Sequence, residues 1–261
     1  MVREIGPADA PPDAPAICLL HGWTATADLN WFRCYAPLGE HHRVFAFDHR
    51  GHGTGLRSKK PFRLEDCADD AADVATQLGF DRFVPIGYSM GGPIAQLVWR
   101  RHPHRVAGLV LCATAPFFAG GRGERRAFRG LTGLATLARF TPDQANTWLT
   151  DQLFLHRKQS KWDPWAFREA STHDWRMLLE AGTAIGDFSS ADWLGEIDVP
   201  TSVVITMRDQ LIPPRRQTRL FETIPGAEAF RVDAEHDAAV ASADRFVPTL
   251  LRAIASALRR Q

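Results

Sequence analysis

At 261 residues the chain is long enough for one sizeable domain with an insertion, or for two small domains. Its 45% hydrophobic and 23% charged residues are ordinary globular values, sufficient for a core that needs neither metal nor disulfide. A formal net charge of +1 without a long basic run speaks against a nucleic-acid partner, and no apolar stretch reaches the roughly 20 residues that span a bilayer.

Residues 1–15 are rich in Pro, Ala and Asp and lack the apolar core of a secretory signal, so a cytoplasmic setting is expected. Only the stretch 2–5 within them can supply a strand. Buried strands are predicted at 16–20 (AICLL), 44–47 (VFAF), 83–86 (FVPI) and 106–112 (VAGLVLC). Helical patterns fall between them, at about 29–39, 64–78 and 90–102. Near-continuous apolar strands separated by helices indicate a parallel sheet covered on both faces. Right-handed crossovers make such a sheet doubly wound.

The stretch 116–190 breaks this rhythm. It has helical periodicity without a convincing buried strand, opens on Gly120, Gly121 and Gly123, and holds Trp148, Trp162, Trp165 and Trp175. It is predicted to be a helical cap or lid, inserted after the strand that ends near Cys112. The core is then formed by 1–115 and 191–261. Strands return at 201–206 (TSVVIT) and 229–232, and helices at 214–223 and 243–259. None of Cys18, Cys34, Cys67 and Cys112 sits in a C-x-x-C pair, so no zinc ribbon or redox site is expected. No metal-ligand cluster has zinc or calcium spacing.

Chemistry concentrates at strand ends. Gly87-Tyr88-Ser89-Met90-Gly91 fits G-x-S-x-G directly after a predicted strand and before a predicted helix, the context of a nucleophile elbow. A serine at such a turn stands at a helix N-terminus, where backbone N–H groups favour developing negative charge. Serine is a poor nucleophile unless a base takes its proton and a third group orients that base. In this architecture the order is Ser, then Asp or Glu, then His. Asp209 follows the TSVVIT strand and His236 follows the next, which brings both to the sheet edge of Ser89. His41, His42, His102 and His104 are expected at the surface, as are His156 and His173 within the insertion. His49 and His52 precede the serine and fall out of order. The backbone N–H groups of Met90 and Trp23 are the expected oxyanion donors, with His21 tying the latter loop in place. Tyr88 and Trp148 are expected to line the substrate pocket.

HGW at 21–23, DHRGHG at 48–53, GYSMGG at 87–92 and the loops of Asp209 and His236 together resemble the α/β-hydrolase superfamily. The resemblance spans nearly the whole chain outside the insertion. Within the superfamily the pattern is similar to bacterial arylesterases, monoacylglycerol-lipase-like enzymes and cofactor-free haloperoxidases. It implies the α/β-hydrolase fold, no cofactor or metal, and a small apolar ester cleaved through an acyl-enzyme. DHRGHG resembles a structural loop motif without a catalytic role. Ser89 stands where epoxide hydrolases and haloalkane dehalogenases carry Asp, which disfavours their chemistry. Thr24 stands where perhydrolase-like enzymes often have Pro, and only one strand of the usual N-terminal hairpin is legible. The alternatives are hydrolysis of a carbon–carbon bond in a diketone, and a non-catalytic ligand receptor on the same fold.

Overall fold

The computed structural model describes residues 1–7, 11, 14–138, 165, 169 and 172–259. Seven strands form one sheet: β1 (Val2–Ile5), β2 (Ala16–Leu20), β3 (Val44–Phe47), β4 (Phe83–Tyr88), β5 (Leu109–Cys112), β6 (Thr201–Thr206) and β7 (Glu228–Val232). Their spatial order is β1-β3-β2-β4-β5-β6-β7. β1 pairs antiparallel with β3, and every other neighbour pair is parallel. Parallel strands put all their carboxyl ends at one edge, so the loops after β2, β4, β6 and β7 meet there.

β2 is buried along its whole length because both faces are covered. Its alternation assigns the faces. Ile17 and Leu19 join a cluster with Trp31, Leu38, Phe246, Leu250 and Ile254. Cys18 and Leu20 join the opposite cluster with Leu64, Ala71, Ile94 and Val98. The first face is covered by α1 (Ala27–Trp31), α2 (Tyr35–Gly39) and the C-terminal helix Ala243–Arg259. The second is covered by α3 (Leu64–Gln77) and α4 (Gly91–Arg101). The fold is that of a doubly wound α/β protein.

Three elements differ from the sequence expectation, and the first is β4, which was expected over 83–86 and runs on through Tyr88. The helix predicted over 29–39 is two short helices, because Pro37 lacks an N–H and its ring crowds the carbonyl four residues back, so no continuous helix passes Arg33. The strand predicted over 106–112 begins at Leu109, and Val106 makes only an isolated parallel bridge to Phe83. A turn of 3-10 helix at Pro103–Arg105 delivers the chain to that bridge.

Between β5 and β6 the chain leaves the sheet. Phe117 and Ser189 form an isolated antiparallel bridge where the segment departs and returns. Beyond it, α5 (Arg122–Ala138) packs on α6 (Trp175–Asp187). Their close approach needs glycine: a Cβ at Gly186 would stand 2.4 Å from Phe128 Cβ, and one at Gly182 would stand 2.7 Å from both the Trp23 indole and Leu131. After β6 come α7 (Pro214–Thr223), α8 (Ala238–Ala241) and the C-terminal α9 (Ala243–Arg259). Among the described residues no helix is long and apolar enough to cross a membrane.

Candidate functional site

The turn after β4 holds Ser89 at φ 52°, a left-handed conformation that a non-glycine residue adopts at a cost of about 1–3 kcal/mol. Its neighbours make the turn sterically possible. A Cβ at Gly87 would lie 2.2 Å from the Gly91 carbonyl oxygen, one at Gly91 2.1 Å from the Leu20 carbonyl oxygen, and one at Gly92 2.1 Å from Thr114 Oγ1. Hydrogen bonds oppose the strain. Ser89 N–H donates to the Cys112 carbonyl at 3.0 Å. The Ser89 carbonyl accepts from Gly92 N–H at 2.9 Å and from Thr114 Oγ1 at 2.8 Å.

Ser89 Oγ lies 3.0 Å from His236 Nε2, and His236 Nδ1 lies 2.7 Å from Asp209 Oδ2. The three side chains therefore meet although 147 and 27 residues separate the pairs along the chain. Asp209 is buried, 3% exposed, and its carboxylate is fully engaged. Oδ1 accepts from the N–H groups of Leu211 and Ile212, both at 2.9 Å. Oδ2 accepts from Thr206 Oγ1 at 2.8 Å and Gln217 Nε2 at 3.1 Å besides the histidine. Gln217 is held the right way round because its Oε1 accepts from Thr206 N–H at 3.0 Å. A carboxylate anchored at five points is well suited to fix one ring orientation of His236.

Tyr88, expected in the pocket wall, is instead almost wholly buried beneath the site. As the last residue of β4 it faces the cluster of Trp31 and Phe246, and its hydroxyl donates to the His236 carbonyl at 2.6 Å. It braces the histidine loop from below. Trp148, the other expected pocket residue, lies outside the described residues, as do Trp162 and His156.

The loop after β2 runs alongside the serine: a Cβ on Gly22 would come within 3.3 Å of Ser89 Cβ. The backbone N–H groups of Trp23 and Met90 have no acceptor among the described residues, and both belong to turns that border Ser89. Pairs of such free donors are what a tetrahedral oxyanion requires. Gly22 N–H, by contrast, is taken by Asn30 Oδ1 at 2.9 Å.

Four histidines lie close behind this loop. His21, His49, His52 and His173 are all buried, with ring centroids 4.1 Å apart for His21–His49, 5.3 Å for His21–His52 and 5.4 Å for His52–His173. Burial pushes the pKa of each downward, that of His173 to about 4. His173 was expected at the surface; it is buried because the end of the insertion docks on the 51–53 turn, where Gly53 N–H donates to its Nδ1 at 3.0 Å. His41 and His104 are exposed as expected, while His102 is partly buried against Asp69. Among the described residues no group of three or more His, Cys, Asp or Glu is arranged to hold a metal ion.

Sequence reasoning had no means of finding Gln217, Thr114, Asn30 or His173. Each acts through a tertiary hydrogen bond to a residue on another segment or around a loop, and none stands in a local motif.

Residues 15–240 match the protein family described as alpha/beta hydrolase fold. The chain belongs to that family. This alpha/beta hydrolase is similar to the proline iminopeptidase PfmaB of Pestalotiopsis fici, at 33% identity over 109 residues, 41% of this chain and 38% of that one. It therefore spans well under half of that relative's length. It is also similar to the putative carbamate hydrolase RutD of Agrobacterium fabrum, 26% identical over 248 residues, covering 92% of this chain and 93% of that one. Among solved structures, a hydrolase from Pseudomonas aeruginosa PA01 superimposes with a TM-score of 0.78 at 21% identity, covering 97% of this chain and 93% of the other, a likeness of fold.

Proposed function

We propose that this alpha/beta hydrolase cleaves a carboxylic ester with an apolar acyl or aryl group through an acyl-enzyme on Ser89. The observation that carries the reading is the unbroken run of hydrogen bonds from Ser89 Oγ through His236 to the buried carboxylate of Asp209. His236 Nε2 takes the serine proton as Oγ attacks the ester carbonyl. Asp209 accepts from Nδ1–H, which keeps Nε2 free as a base and stabilises the imidazolium that forms. The oxyanion develops against the Met90 and Trp23 N–H groups. The imidazolium then protonates the leaving alkoxide, and water activated by the same histidine releases the acid. The apolar preference is supported by Leu211, 72% exposed on the loop that holds Asp209, and by the partly exposed Trp23. In this reading 116–190 is the cap that shapes the acyl site, and Trp148 within it remains a proposed pocket residue.

A fluorophosphonate probe and p-nitrophenyl esters of graded acyl length test the proposal. The folded wild type is expected to be labelled and to turn over the esters, and Ser89→Ala to lose both. Equal labelling of Ser89→Ala, or a folded wild type that takes no label, removes the assignment.

A further inference from the structure

We infer that His173 is a positioning residue for the oxyanion loop, coupling the docking of the inserted segment to the placement of the Trp23 N–H. The inference rests on reading that N–H as an oxyanion donor.

The loop 22–24 does not hold itself. Thr24 sits at φ 62°, a left-handed conformation that is strained for a β-branched residue and persists only where surroundings impose it. From the sheet side, His21 supplies one restraint. His49 N–H donates to its Nε2 at 2.9 Å, so the ring proton is on Nδ1 and is donated to the Gly22 carbonyl at 2.8 Å. The restraint on the other flank comes from the insertion. Because Gly53 N–H donates to His173 Nδ1, the ring proton is on Nε2 and is donated to the Thr24 carbonyl at 3.3 Å. Trp23 is thus bracketed by two histidines that each receive one backbone N–H and pass one ring N–H to the loop.

The insertion reinforces its half of the bracket. Trp23 Nε1–H donates to the Leu178 carbonyl at 2.9 Å, and Gly182 leaves room for the indole against α6. Thr26 Oγ1 donates to Glu169 Oε2 at 2.9 Å. The insertion is itself fastened to the 51–53 turn, where Asp174 N–H donates to the Gly51 carbonyl at 2.8 Å. Arg57 joins the same junction, donating to the carbonyls of Gly53 and Thr172. Residues that are 149 and 155 positions apart in sequence therefore fix the Trp23 segment. When the 172–178 stretch lifts, the loop loses two of its side-chain restraints, and the donor drifts from the oxyanion position.

Three variants separate positioning from general support. His173→Ala removes both bonds. His173→Gln can still place an amide N–H on the Thr24 carbonyl, whereas the shorter His173→Asn can only receive Gly53 N–H. In the resting protein, deuterium uptake over 22–26 is expected to quicken about tenfold in His173→Ala. With an ester substrate, kcat is expected to fall about ten- to hundredfold while KM stays within about twofold. The inhibition constant of an aryl trifluoromethyl ketone, whose hemiketal oxyanion uses the same donors, is expected to rise in parallel. Gln is expected to recover most of kcat and Asn little. Unchanged exchange in folded His173→Ala, or recovery by Asn equal to that by Gln, overturns the inference. Exchange is read without substrate, so a wild type lacking Ser89-dependent turnover would sink the ester-hydrolase reading and leave the hold of His173 on the loop separately measured.

Discussion

Asp209 carries the heaviest hydrogen-bond load of any side chain in the candidate site, and its five donors make different demands. The two backbone donors at Oδ1 would tolerate an amide oxygen there. The three partners at Oδ2 would then face an NH2 group, and His236 would have to turn its lone pair rather than its proton toward position 209. That places the proton on Nε2, where it cannot accept from serine. Asp209→Asn is therefore expected to lower kcat by about 10⁴-fold, the scale seen when a triad acid is replaced by its amide. Gln217→Leu removes a single donor from the charged oxygen, worth about 1.5 kcal/mol, and is expected to lower kcat only about tenfold. Steady-state kinetics on a p-nitrophenyl ester, with circular dichroism to confirm folding, checks both. Equal effects of the two substitutions would show that Asp209 acts through packing and not through the histidine tautomer.

At the scale of elements, the contact of α5 with α6 is set by Gly186, where a Cβ would stand 2.4 Å from Phe128 Cβ and Cγ. Those atoms are close to the backbone, so they move only with the helix. Gly186→Ala is expected to spread the two helices, to destabilise by about 1–3 kcal/mol, and to shift the acyl-length preference with little change in turnover of the shortest ester. A thermal melt and a chain-length series measure both parts. The same scale separates what was legible in sequence from what was not. AICLL could be read as a strand because burial on both faces leaves it no polar position, and TSVVIT because five of its six residues are β-branched, the type that suits a pleated and covered strand. Thr201–Thr206 and Pro214–Thr223 were bounded correctly because turn residues and proline punctuate them. The loops of Ser89, Asp209 and His236 were legible because each follows a strand of the parallel sheet, β4, β6 and the more exposed edge strand β7, so position along the chain implied position at one edge. Tyr88 was expected in the pocket because it neighbours Ser89 in the G-x-S-x-G motif, while the pleat sends Tyr88 itself into the core. His173 was misread because its partner Gly53 lies 120 residues away, and no local period reports such a contact.

For the molecule as a whole, the buried histidines set an acid limit. His21, His49, His52 and His173 all have pKa values below the ordinary histidine value, with desolvation the leading cause. For His173 the neighbouring His21 and Arg57 push the same way, while the Thr24 carbonyl and Asp48 oppose them. Arg57 and His21 lower the His52 value too. The unfolded chain binds protons at these residues near pH 6.5, whereas folded His173 does so only near 4. Stability from these groups is therefore complete above about pH 6.5 and declines as pH falls, the His173 share being lost by about pH 4. Each proton taken up on unfolding steepens the decline by about 1.4 kcal/mol per pH unit. Asp48, Asp69 and Glu124 have pKa values below the ordinary carboxylate value, so their contribution begins to fall only below about pH 5, outside the interval from pH 7 to pH 5. Urea unfolding at pH 7 and pH 5 is expected to show a clear fall in midpoint, and His173→Gln to flatten that fall by removing one titrating group. A midpoint unchanged between pH 7 and 5, or a slope unaltered by His173→Gln, would mean that these rings do not govern the acid side.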